Sequence, residues 1–89
     1  MATVFIALQT TDEARYIIEA IMADNPHAVL HEQPAMVKID AQNLLTIKRE
    51  SIEERMGRDF DMQELNVYTI TLAGNIEETD DALTLSWHA

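Results

Sequence analysis

The chain has 89 residues, no cysteine, and 16 Asp and Glu against 6 Lys and Arg, for a net charge of −10. At this length one domain is expected. Disulfides, thiolate metal sites and a Cys nucleophile are excluded. The acidic balance argues against nucleic acid and against anionic membrane surfaces, and fits a basic protein surface instead.

Thr3–Gln9 predicts a strand with Val4, Ile6 and Leu8 on one face and Phe5 and Ala7 on the other. Apolar groups on both faces make it a central strand. Thr10 and Glu13 have capping-box spacing and open a helix whose apolar stripe is Ala14, Ile17, Ile18, Ile21 and Met22. Pro26 ends that helix by Asn25, because the residue before a proline avoids helical geometry. His27–Glu32 reads as a second strand, Gln33-Pro34-Ala35 as a turn and Met36–Ala41 as a third strand. After a break at Gln42-Asn43, Leu44–Arg49 is the fourth.

Ser51 and Glu54 repeat the capping-box spacing and start a short helix, which Gly57 can stop in the left-handed conformation. Asp61 and Glu64 predict a further helical turn around Met62. Leu65–Ala73 is expected as a fifth strand, Gly74-Asn75 as a turn and Glu77–Asp81 as a solvated acidic loop. Ala82–His88 closes the chain as a strand with Leu83, Leu85 and Trp87 on one face. The expected fold is α+β: duplicated βαββ units, halves about 1–41 and 42–89, a mainly antiparallel sheet and helices packed on one face.

Little in the chain carries chemistry. Gly57 and Gly74 are the only glycines, too few for a phosphate loop. His27 and His31 share a strand face with side chains far apart, which suits exposed histidines better than metal ligands. Glu50, Glu53 and Glu54 stand among Arg49 and Arg55 and read as a solvated face, not an acid–base pair. Ser51 reads as a cap, not a nucleophile. A carboxylate-bridged diiron site needs Glu-x-x-His, and no glutamate here has a histidine three residues later. No catalytic, cofactor-binding or metal-ligating residue is therefore expected. Met22 belongs to the first helix's stripe, whereas Met36, Met56 and Met62 fall near turns, where methionine suits adaptable contacts. No apolar run approaches the roughly 18 residues of a membrane span, and a cytoplasmic protein is expected.

The segments VFIALQTTDEARYIIEAI, DNPHAVLHEQPAMVKIDA, LLTIKRESIEERMGRDFDMQEL, ITLAGN and LTLSW, in that order, run over nearly the whole chain. Together they resemble the regulatory components of multicomponent phenol hydroxylases, within the effector-protein family of soluble bacterial diiron monooxygenases. The resemblance implies a protein with no cofactor and no catalysis of its own. It would bind the diiron hydroxylase component over the face nearest the metal centre and shift helices there. That would couple reductant use, supplied through a reductase, to hydroxylation of phenols.

Loop position together with Arg, Met and aromatic side chains marks the expected contact residues. They are Asn25, Pro26 and His27; Pro34, Ala35 and Met36; and Arg55, Met56, Gly57, Arg58, Asp59 and Phe60. Pro26 and Phe60 also read as a helix stop and a core plug. An exposed edge strand would allow a homodimer that hides this surface and is less active. A small-ligand-binding sensor domain and an enzyme with an acid pair among the glutamates stay open as alternatives.

Overall fold

The computed structural model describes residues 3–87. Strand β1 (Thr3–Gln9) has Val4, Ile6 and Leu8 fully buried, and Ala7 buried on its other face. It lies inside a four-stranded sheet with β2 (Val29–Gln33), β3 (Met36–Gln42) and β5 (Thr69–Ala73), in the order β2-β3-β1-β5. A three-stranded sheet holds β4 (Leu44–Lys48), β7 (Ala82–Ser86) and β6 (Asn75–Glu78), in the order β4-β7-β6. Every pairing is antiparallel. The α+β class holds, with two sheets in place of one.

Helix α1 (Asp12–Asp24) buries Ala14, Ile17, Ala20 and Ile21, and packs against β4 and α2 (Arg49–Met56). A 3-10 turn (Met62–Glu64) runs into the short α3 (Leu65–Tyr68). One core takes in Ile6, Ile39 and Val37 from the first sheet, Leu45, Ile47 and Leu85 from the second, and Ile52, Phe60, Met62 and Leu65 from the α2–α3 stretch. The buried face of the larger sheet meets α1 and the smaller sheet; its other face carries Lys38, Asp40 and His31. There the Lys38 ammonium lies 4.5 Å from the centre of the Phe5 ring, a cation–π contact over the half-buried aromatic.

Two residues with positive φ turn the chain from one sheet into the other. Asn43 (φ 69°) joins β3 to β4, and its carbonyl accepts from the Trp87 amide at 3.2 Å. Gly74 (φ 135°) joins β5 to β6 where a Cβ would stand 3.0 Å from Val4 Cγ1. Only glycine meets both demands there.

Several expected boundaries move. The cap of α1 is Thr11, not Thr10: its hydroxyl accepts from the Ala14 amide at 3.1 Å. Helix α2 begins at Arg49 with no side-chain cap, so Ser51 caps nothing. The Arg49 amide instead bonds Asp81 O at 2.8 Å, and that contact sets the entry into the helix. The fifth strand starts at Thr69, because the capping box at Asp61 and Glu64 launches a helical stretch that continues through Tyr68. Part of the expected acidic loop is strand β6, which pairs with β7. The last strand stops at Ser86, and His88 lies outside the described residues.

Candidate functional site

At the C-terminal end of α1, Asn25 is 2% exposed, and its carboxamide is fully engaged. Its Nδ2 donates to Ile21 O at 2.8 Å and to Thr46 O at 2.7 Å, and its Oδ1 accepts from the Thr46 amide at 3.0 Å. The side chain thus acts as a neighbouring strand for the outer edge of β4. Pro26 and His27 are exposed, and His27 Nε2 lies 3.0 Å from Leu44 O on the same edge, where a protonated Nε2 donates to the carbonyl.

At the other end of α1, Pro34-Ala35 forms the tip of the β2–β3 hairpin, with Ala35 at φ 61°. Met36, half-buried, pairs with Gln9 just before the helix starts. Gly57 ends α2 in the left-handed conformation (φ 71°). Arg58 then holds the following loop: it donates to Asp59 O at 2.7 Å and lies 3.5 Å from Glu64 and 3.9 Å from Glu13. The Phe60 amide donates to the Glu53 carboxylate at 2.8 Å while its ring is buried at 2% exposure. Arg55 donates to Ser51 O at 3.2 Å along its own helix.

The Tyr68 hydroxyl donates to the Glu13 carboxylate, which pushes the phenol above its ordinary value of 10.0. The backbone amide of Asp61 holds the Glu64 carboxyl below the ordinary range, and Arg58 adds to the effect.

Pro34–Met36, through Gln9, and Arg58, through Glu13, therefore each stand toward the N-terminal end of α1. Pro26 and His27 lie at its far end, roughly 20 Å away by the rise of a 13-residue helix. Asn25 and Phe60 are removed from the surface by burial. Sequence reasoning also missed an open groove of about 830 Å³ lined by Glu53, Asp59, Asp61, Glu64, Glu78 and Asp80 around Arg49. Its walls come from segments far apart in the chain, so no local pattern announces it. Arg49 there pairs with Asp81 at 3.0 Å. Among the described residues no group of His, Asp and Glu is arranged to hold a metal ion. No helix is long and apolar enough to cross a membrane.

What remains is a largely acidic surface with loops at both ends of one helix. Residues 2–86 match the MmoB/DmpM family. The chain belongs to the MmoB/DmpM family. It is 51% identical over 84 residues to the phenol 2-monooxygenase stimulatory component DmpM of Pseudomonas sp. (strain CF600), covering 94% of this chain and 93% of that one. A chain in a solved structure of a phenol hydroxylase–regulatory protein complex superposes with a TM-score of 0.94 at 47% identity, covering 98% of this chain and 100% of that one. The regulatory protein B of soluble methane monooxygenase shares the fold, with a TM-score of 0.77 at 22% identity over 97% of this chain and 65% of that one. The family match thus takes in every strand and helix described above.

Proposed function

We propose that this MmoB/DmpM-family protein is the regulatory component of a phenol hydroxylase. It binds the hydroxylase component and stimulates hydroxylation without catalysing a reaction itself. The observation that carries this reading is the 51% identity to a stimulatory component over nearly the full length of both chains. The superposition on a regulatory protein from a hydroxylase complex supports it. The contact surface is drawn from the exposed loop residues Pro26, His27, Pro34, Ala35, Gly57, Arg58 and Asp59, with the half-buried Met36, Arg55 and Met56 beside them. The protein works in the cytoplasm with a reductase as the third component, and carries no cofactor of its own.

The mechanism is differential binding. An effector shifts its target only by preferring one conformer, and each ~1.4 kcal/mol of preference changes the ratio of conformers about tenfold. The acidic surface speeds encounter with a basic face, while apolar and Met contacts in the loops set residence time.

The test is a titration of this chain into hydroxylase and reductase with phenol as substrate, reading product formed and reductant consumed. Rate and product per reductant should both rise through an optimum ratio. An unchanged rate and unchanged yield at every ratio would refute the reading.

A further inference from the structure

Strand β2 is an outer strand of the four-stranded sheet, and its ladder to β3 is regular from Val29 to Gln33. The β2–β3 link is Pro34-Ala35 alone, so Gln33 and Met36 form the closing hydrogen-bonded pair. By alternation His31 and Val29 also bond to β3. The N–H and C=O of Leu30 and Glu32 therefore point away from the sheet. Among the described residues, none of the backbone bonds outside the ladders uses them. The other sheet edges are treated differently: Asn25 and His27 occupy that of β4, a register shift interrupts β5 opposite Ala7 and Leu8, and β6 is short and carries Glu77 and Glu78.

A groove of about 260 Å³ runs beside β2, between it and α1. Ile18, Leu30 and Val37 give it an apolar floor, and Asp12, Arg15 and Glu32 stand on its rim. None of these three charges enters an ion pair among the described residues. A free ladder edge thus lies beside a groove that a side chain from an added strand would enter, as in strand-addition recognition.

We propose that β2 is a strand-addition site for an extended segment of the hydroxylase. The segment pairs with the free N–H and C=O groups of Leu30 and Glu32. It sets one apolar side chain on Ile18, Leu30 and Val37, and a basic residue beside it faces Asp12 and Glu32. This rests on the hydroxylase being the partner. A second copy of the chain is the poorer occupant, because it brings another net charge of −10 and another Glu32 to the same edge.

The test compares Glu32→Pro with Glu32→Ala in the whole protein. Proline at an outward-facing position removes one edge donor and leaves the ladder to β3 intact. Glu32→Ala should bind the hydroxylase within about threefold of wild type, as expected for one rim charge. Glu32→Pro should bind about tenfold or more weakly. Amide exchange on the wild-type protein gives a second reading independent of any substitution. The Leu30 and Glu32 amides should exchange freely alone and become protected in the complex. Equal binding by the two variants, with Leu30 exchange unaltered in the complex, overturns the proposal. So does a wild-type dimer in sedimentation that Glu32→Pro abolishes, which would assign the edge to a second copy. If wild type itself fails to bind the hydroxylase, the regulatory reading fails first and the proposal falls with it.

Discussion

The Asn25 carboxamide bonds both the N–H and the C=O of Thr46, closing the edge of β4 from the end of α1. Asn25→Ala leaves those Thr46 groups without partners, and about 3 kcal/mol of stability should be lost. Asn25→Asp should be worse near neutral pH, since a carboxylate would face the carbonyls of Ile21 and Thr46. Urea unfolding of the two variants checks this; a loss below ~0.5 kcal/mol for both would show that the edge is held by something else.

The two positive-φ positions at Gly74 and Ala35 should respond oppositely. Gly74→Ala adds a Cβ against Val4 at a φ of 135° and should cost about 3 kcal/mol. At Ala35, which follows Pro34 with φ 61° as a type II turn requires, glycine removes strain that the hairpin carries. Ala35→Gly should be neutral or stabilising by about 0.5 kcal/mol, because part of the relief is offset by the freer unfolded chain. Denaturant midpoints of both variants measure the contrast.

Tyr68 ties the end of α3 to the first turn of α1 through Glu13. Its folded-state value is raised, so the contribution is present below pH 10.0 and is lost as pH climbs through that folded value. Stability measured across the alkaline range should fall more steeply for wild type than for Tyr68→Phe. Glu64 behaves conversely: its value is lowered, so its contribution is present above the ordinary carboxyl range and is lost as pH falls through the folded value. Glu64→Gln should flatten the acid limb.

Phe60 and Arg58 are two residues apart and should separate folding from docking. Phe60→Ala empties a buried site and should cost about 3–5 kcal/mol. Arg58→Ala removes partly exposed ion pairs to Glu13 and Glu64 and should cost less than ~1 kcal/mol. If the loop after α2 contacts the hydroxylase, Arg58→Ala should still weaken binding in a titration at unchanged fold. Binding equal to wild type would take Arg58 out of the contact surface.

The contrast between α1 and β6 shows what local pattern can reveal. The stripe Ala14, Ile17, Ile21 is written at helical spacing, and the helix lies where the stripe predicts. β6 has all four residues exposed, so no alternation marks it, and only pairing with β7 makes it a strand. The start of α2 depends in the same way on Asp81, a residue distant in sequence. Thr10 and Thr11 have the same chemistry, and which one caps α1 is decided by where β1 ends. Of the expected contact residues, the exposed loops were legible from Pro, Gly and charge. Asn25 was not, because a buried amide and an exposed one look alike until the edge of β4 is beside it.

In the smaller sheet β7 lies between β4 and β6, which do not pair with each other. β4 finds its partner only when Ala82–Ser86 arrives from the far end of the chain, whereas β2–β3 and β6–β7 each close through a short turn. Loop-closure entropy therefore orders the folding reaction, with the two hairpins early and the long-range pairing of β4 with β7 late. The sole tryptophan, Trp87, follows β7 directly and donates its indole N–H to Thr3 O at 2.8 Å. Its emission during refolding should therefore time the last event, when β7 closes the chain onto its first strand.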